Sequence, residues 1–348
     1  MLSIKDMFNI QVGSAAGWGH RRQELGNEDG YLVIAEEDFA LLLVTDGCSG
    51  EDHSVVGAWL GAEIIGNLVR RMVRDGHFAT GNAEELDRSC KLLFQDIIAS
   101  CDRLVAEIAR TRASDQPPSN EERRVVVKKF MVFTFVAAII TPSYTTVISY
   151  GDGVYAVNRQ VTEIEPASRN RAAYLAHHMA GASYDFPQLP EYLGITVQDS
   201  MLTAYVLTLA VGTDGVLAII EAENDPFPGS PDRKIGPLSQ LWDDPFFDGP
   251  VRGSFGQVSA ITFWLMDLRA ETAARVVKPV IGGFPPVIYN ENFPKLMCDD
   301  TTIIRAKRKP EYMSLDGPDK ADIVELDTGE VQAALKALDE SSAQQASG

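Results

Sequence analysis

The order of elements along the chain predicts an α+β fold in which sheets are sandwiched by helices. A strand hairpin comes first, two long amphipathic helices follow, a run of strands comes next, and helices return before a closing strand. The 348 residues are enough to bury a large core, and 45% hydrophobic with 23% charged residues lies in the ordinary globular range. Wholesale disorder and fibrous repeats are thereby excluded. No period of about 20 to 50 residues recurs, which argues against a solenoid or propeller.

Tyr31 to Ala35 and Phe39 to Thr45 are apolar runs of strand length separated by Glu36-Glu37-Asp38, the pattern of a hairpin. From Ser54 to Arg74 apolar residues recur at Val55, Trp59, Ala62, Ile65, Leu68, Val69 and Met72, and Asp75-Gly76 supplies the stop. A second helix is expected over Ala83 to Arg112, with Leu86, Leu93, Ile97, Cys101, Leu104 and Ile108 in its stripe. The polar, proline-bearing stretch Ala113 to Glu122 predicts an exposed loop. Strands resume at Val125 to Lys128, Phe130 to Thr141, Thr145 to Tyr150 and Val154 to Asn158. Beyond them, Arg169 to His178 reads as helix, Ala204 to Val211 as a buried strand and Val216 to Glu223 as a short helix. Ser259 to Val277 reads as helix and Thr301 to Lys307 as the closing strand. Asn224 to Gly256, rich in Pro, Gly and Asp, reads as a flap or insertion.

Composition shifts past Lys309. Nine acids against two lysines follow between Glu311 and Gly348, so the chain divides into a folded domain, 1–309, and an acidic, mobile tail, 310–348, with one short helix at Val331 to Leu338. The net charge of −18 opposes a sequence-independent grip on nucleic acid or an anionic membrane. No apolar run approaches the ~20 residues of a spanning helix, and the first residues lack a signal-type apolar core. Cys48, Cys90, Cys101 and Cys298 show no CxxC spacing, so neither a zinc knuckle nor a disulfide framework is indicated. A cytoplasmic location is the expectation. Cys48 and the Trp18, Trp59 and Trp264 side chains read as buried packing residues.

Four apolar runs end alike: LLLVT-Asp46-Gly47, VISY-Gly151-Asp152-Gly153, LAVGT-Asp214-Gly215 and KLMC-Asp299-Asp300. A strand ending in a carboxylate, followed by a residue that lets the backbone turn sharply, sets an acid on a rigid stem at a sheet edge. Any one of these is an ordinary surface turn. Four of them, with Asn27-Glu28-Asp29 entering the hairpin, predict convergence on one site. Clustered carboxylates repel unless cations neutralise them, and an all-oxygen donor set suits Mg²⁺ or Mn²⁺. Zinc is disfavoured by only five histidines, two of them the adjacent His177-His178. Two such ions activate water for in-line displacement at phosphorus, so metal-assisted hydrolysis of a phosphate ester is the predicted chemistry.

Asn27-Glu28-Asp29, Asp46-Gly47-x-x-Gly50, Gly151-Asp152-Gly153, Thr213-Asp214-Gly215 and Asp299-Asp300-x-Thr302 resemble, in sequence and order, the metal-dependent protein phosphatases of the PP2C (PPM) family, in a divergent bacterial-type branch. The resemblance spans about residues 10 to 308 and implies a central β-sandwich of two antiparallel sheets flanked by helices, in αββα layers. It makes Asp46 the ligand bridging both ions, with the Gly47 carbonyl on one of them, and Glu28 the ligand of the second ion. Asp29 aligns with an acid that orders water, Asp214 and Asp299 with ligands of the first ion, and Asp152 with a ligand of a third, weaker ion. Asp29, Asp46 and Asp214 are thus the catalytic candidates. The sequence also departs from the pattern. Glu24 stands where many members carry a phosphate-gripping arginine, which leaves Arg21, Arg22 and His20 as phosphate-binding candidates. Cys48 stands where the animal enzymes place a histidine, which leaves His53 as the general-acid candidate. Phe133-Thr134-Phe135 replaces a Gly-Thr-Thr-like step, and Gly153 replaces a common serine.

The function so implied is a serine/threonine protein phosphatase in which water bridging two Mg²⁺ or Mn²⁺ ions attacks the phosphoester. Its partner is a phosphorylated protein, the target of a Ser/Thr kinase. The alternative is a PP2C-like regulatory or metal-binding module with little or no catalysis. A structural calcium site is a third, weaker reading, since EF-hand spacing is absent.

Overall fold

A computed structural model of the chain describes residues 3–17, 20–21, 24, 26–48, 54–112, 117–165, 174–179, 194–228, 230–253, 256–268, 273–277, 288–292, 296–297 and 299–313. Ten strands build two five-stranded antiparallel sheets: β1 (Phe8–Ala15), β2 (Gly30–Ala35), β3 (Ala40–Gly47), β4 (Phe133–Ile140), β5 (Tyr144–Tyr150), β6 (Gly153–Val157), β7 (Gln160–Ile164), β8 (Thr196–Leu202), β9 (Thr208–Gly212) and β10 (Thr301–Arg308). One sheet has the order β2-β3-β4-β5-β8 and the other β1-β10-β9-β6-β7. Five helices of seven or more residues accompany them: α1 (Ser54–Arg74), α2 (Ala83–Arg112), α3 (Asn120–Phe130), α4 (Gly215–Glu221) and α5 (Ala260–Leu268). Helices α1 and α2 cover the first sheet, with α3 packed against both of them, while α4 and α5 cover the second. The expected helix-flanked sandwich of two antiparallel sheets is therefore the fold.

Alternation along the strands shows why both sheets are buried on both faces. Leu41 and Leu43 join Ile65, Val69, Leu93 and Ile97 in the core under the helices, whereas the intervening Leu42 and Val44 are equally buried but face the other way, between the sheets. In the second sheet Ala210 and Ile303 pack with Val216, Trp264 and Leu265, and Leu209, Val211 and Ile304 point inward. Near-continuous apolar runs in β3, β4 and β9 follow from this double coverage.

Several expectations are corrected. Val125 to Lys128 is not a strand but part of α3. Ser119 accepts the Glu122 N–H while Glu122 returns a bond to the Ser119 N–H, a capping box that starts the helix despite three β-branched residues. The exposed loop consequently stops before Asn120. The helix expected over Ser259 to Val277 ends at Leu268, and Ala273–Val277 pairs with Ile288–Asn292. The strand expected from Ala204 begins only at Thr208, after a 3-10 turn at Thr203–Tyr205. Asn224 to Gly256 carries two hairpins, Pro226–Phe227 with Ser230–Lys234 and Pro250–Gly253 with Gly256–Ser259. Strands β1, β7 and β8 were not anticipated; β7 and β8 are amphipathic and only partly buried. Trp264 is buried, but Trp59 is 42% exposed, with its ring 5.0 Å from that of Tyr31. Residues 1–309 form one compact unit, which ends where the acidic segment begins. Positions 314–348, including the helix expected at Val331 to Leu338, lie outside the described residues, as does Arg169 to Ala173 of the expected helix. No described helix is long and apolar enough to cross a membrane.

Candidate active site

Antiparallel register brings the acidic strand ends to one end of the sandwich. Gly30 pairs with Thr45, Gly47 with Phe133, and Phe135 with Tyr150, so Asp29, Asp46 and Asp152 lie at the same edge of the first sheet. In the second, Gly212 pairs with both Val154 and Ile303, and Ala15 with Thr301, which sets Asp214, Asp299 and Asp300 at that edge too. The turn Gly151-Asp152-Gly153 crosses between the sheets there. Gly151 has φ 96° and Gly153 φ 144°, and a Cβ on Gly153 would lie 2.7 Å from Val136 and 2.9 Å from the Gly212 carbonyl oxygen. A serine side chain would not fit this crossing.

Asp29 is 1% exposed and held from two sides. Its N–H donates to Asn27 Oδ1 at 3.0 Å, while Asn27 Nδ2 donates to Ser14 Oγ at 2.6 Å, and the Ser14 and Thr302 hydroxyls are 2.8 Å apart. Thr213 Oγ1 donates to Asp29 Oδ2 at 3.0 Å and accepts the Thr302 N–H at 3.0 Å. The other oxygen, Asp29 Oδ1, is buried without a hydrogen-bond partner among the described residues. Burial first, then the charges of Asp300 and Asp214, pushes the Asp29 carboxyl well above the usual carboxylate range. Asp46 is raised likewise by burial, by Asp29, Asp214 and Asp299, and by a hydrogen bond shared with Asp214. Burial and the charges of Asp299 and Asp152 raise Asp214 to about 6, and burial raises Asp152. These mutual effects show that Asp29, Asp46, Asp152, Asp214 and Asp299 share one electrostatic environment.

Asp300, whose role sequence reasoning passed over, organises the neighbouring loop. Its carboxylate accepts the Gly17 N–H at 2.6 Å and the Glu28 N–H, and its own N–H donates to Asp299 Oδ1 at 2.9 Å. His20 is buried beside it, with Nδ1 2.9 Å from Asp300 Oδ1 and Nε2 3.5 Å from Glu28 Oε2. The Nδ1 contact has ion-pair distance without hydrogen-bond alignment. Burial lowers the His20 pKa, but Asp300, Glu28 and Asp299 more than offset this, so the imidazole titrates above its ordinary value. The His20 imidazole thus faces the Asp300 and Glu28 carboxylates. Glu24 is exposed with φ 59°, and Arg21 is exposed. Arg22 and His53 lie outside the described residues. Cys48, read as buried, is partly exposed where the chain leaves β3, its N–H bonded to the Val132 carbonyl.

The family model for Protein phosphatase 2C matches residues 16–227, more than half of the chain. The chain belongs to the protein phosphatase 2C family. The matched span of that family contains Glu28, Asp29, Asp46, Asp152 and Asp214, and Asp299 and Asp300 follow it. No curated protein matches the chain. Similar solved structures include a bacterial serine phosphatase, at 14% identity over 87% of this chain and 98% of that one, TM-score 0.40. Others are the serine/threonine phosphatase Stp1 from Staphylococcus aureus, at 14% identity over 89% and 98%, TM-score 0.41, and the catalytic domain of the serine threonine protein phosphatase PstP in complex with two manganese ions, at 12% over 86% and 98%, TM-score 0.41.

The protein phosphatase 2C family implies divalent metal, and the donor set fits it. The converging groups are carboxylates, which suit Mg²⁺ or Mn²⁺, and Asp29 Oδ1 is a buried acceptor without a hydrogen-bond partner among the described residues. As they stand, the described residues include no group of three or more His, Cys, Asp or Glu side chains that could hold a metal ion.

Proposed function

We propose that this chain is a metal-dependent serine/threonine protein phosphatase. The observation that carries the reading is the convergence of Asp29, Asp46, Asp152, Asp214 and Asp299 at one end of the sandwich, where burial raises the pKa of four of them and neighbouring charge adds to the rise in Asp29, Asp46 and Asp214. Membership of the protein phosphatase 2C family supports it. Glu28, Asp46, the Gly47 carbonyl, Asp214 and Asp299 would hold two Mg²⁺ or Mn²⁺ ions, and Asp152 with Asp214 a third. When bound, such ions ionise water and stabilise charge developing on a phosphoryl group.

The chain's own contribution is placement. Strand β3 fixes Asp46 at the end of the first sheet, paired in register with Thr134 of β4. The Thr213 hydroxyl fixes one oxygen of Asp29 and so sets the orientation of the buried carboxyl group. The substrate class is a phosphorylated Ser or Thr in a protein, the product of a Ser/Thr kinase, and the cytoplasm is the proposed location. Purified full-length chain with Mn²⁺ is expected to hydrolyse p-nitrophenyl phosphate and phosphoserine or phosphothreonine peptides, with loss of turnover in EDTA. Asp214→Asn should cost at least about 100-fold, the upper range seen even for residues behind the ligands. Tight Mn²⁺ binding with no turnover on any phosphopeptide would replace this reading with that of a regulatory module.

A further inference from the structure

The clamp around Asp300 joins residues from distant parts of the chain. Gly17 leaves β1, Glu28 enters β2, and Asp300 enters β10, so the carboxylate ties together backbone segments 283 and 272 residues away. Asp300 is 2% exposed. Its oxygens are occupied by main-chain N–H groups, with the His20 imidazole against Oδ1, so the side chain is committed to the protein. At the same time its own N–H holds Asp299 Oδ1. One residue thereby fixes the main chain of Glu28 and the side chain of Asp299, which in the reading above serve different ions. Gly17 makes the approach possible, since a Cβ there would lie 2.3 Å from the Asp299 carbonyl carbon.

We infer that Asp300 is a positioning residue which sets the affinity of the carboxylate site for its ions by fixing Glu28 and Asp299 together, with His20 as its buttress. The inference rests on the phosphatase reading. A buried carboxylate that accepts two main-chain N–H bonds defines the orientation of the peptide units that donate them, and one of those units carries the Glu28 side chain, while the Asp300 N–H holds Asp299. Asparagine at this position keeps one acceptor oxygen and the volume, but turns an NH₂ group toward a main-chain N–H. The loop must then shift.

The test compares wild type, Asp300→Asn and His20→Gln by calorimetric titration with Mn²⁺ and by the Mn²⁺ dependence of p-nitrophenyl phosphate hydrolysis. Asp300→Asn is expected to weaken Mn²⁺ binding by about 10- to 100-fold, the range for groups that orient metal ligands. Excess Mn²⁺ should restore most of kcat, with KM for the phosphate ester little changed. His20→Gln should shift Mn²⁺ affinity in the same direction by a smaller factor, and it carries the test if the asparagine variant does not fold. A merely structural role would lower the folded fraction and leave the Mn²⁺ midpoint where it was. A wild type that binds Mn²⁺ and turns over, beside folded variants with Mn²⁺ affinity within twofold of it, overturns this inference alone. A wild type that neither binds Mn²⁺ nor turns over overturns it together with the phosphatase reading.

Discussion

Thr213 Oγ1 donates to Asp29 Oδ2 across 184 residues of sequence, at 3.0 Å, while accepting the Thr302 N–H at the same distance. One hydroxyl thus joins the ends of β9 and β10 to the acid that precedes β2. Replacing Thr213 with valine keeps the shape and removes both bonds. The expected result is a loss of stability on the order of 3 kcal/mol, since a bond to a buried carboxylate disappears and a main-chain N–H is orphaned. Turnover should fall by about tenfold or more as Asp29 is released. Urea denaturation and p-nitrophenyl phosphate kinetics measure the two effects, and a variant matching wild type in both contradicts the role given to Thr213.

Divalent metal should stabilise the fold. A ligand that binds only the native state at about 100 times its Kd adds about 2.7 kcal/mol. Thermal unfolding in Mn²⁺ is expected several degrees above that in EDTA, with the difference growing as Mn²⁺ is raised. Superimposable transitions would mean that the carboxylates bind no metal.

The metal-free protein should lose stability as pH rises. Burial and neighbouring charge hold Asp29 and Asp46 above the usual range and put Asp214 at about 6. A carboxyl whose folded pKa exceeds its unfolded value near about 3.9 favours folding in its protonated form. That contribution is complete below the unfolded value and is lost as pH climbs through the folded one. In EDTA the denaturation midpoint is therefore expected to be higher at about pH 5 than at about pH 7.5. Mn²⁺ should reduce or reverse this slope, because ligands must be ionised to bind. A midpoint in EDTA that rises over the same interval would contradict the raised values.

Gly153→Ala should damage the crossing between the sheets. The residue sits at φ 144° with a carbonyl oxygen 2.9 Å from where the Cβ would stand. A loss of about 1–3 kcal/mol is expected from the strained backbone, accompanied by reduced Mn²⁺ affinity because Asp152 lies in the same turn. Calorimetric unfolding and Mn²⁺ titration report both.

Ser119→Ala removes the capping box of α3, at an expected cost of about 1 kcal/mol with turnover unchanged. The same denaturation assay checks it, and an unchanged midpoint would show that α3 is held by packing alone.

Much of the fold is legible locally. The three-to-four spacing from Val55 to Met72 and from Leu86 to Ile108 marks two helices that occur at Ser54–Arg74 and Ala83–Arg112. The hairpin of β2 and β3 follows from two apolar runs around three charges. Where reading failed, two local signals competed or none was strong. Val125-Val126-Val127 favours strand by propensity, but the capping box and burial of Val126 and Val127 made it helix. Strand β1 has only partial burial along much of its length, and its partner β10 lies at the far end of the folded unit.

The sequence by itself determined that acids stand at strand ends, because a residue pattern of apolar run, Asp and Gly is a local property of the chain. It also determined the family, through the order of those motifs. Tertiary structure decided how the acids meet, since that depends on antiparallel register carrying five segments to one edge of two sheets. It also decided that His20 faces Asp300 and Glu28, and that Thr213 and Asp300 fix Asp29, Glu28 and Asp299. Those bonds join residues separated by up to 283 positions, and their existence rests on β1 closing against β10. Spacing along the chain carries no record of such contacts.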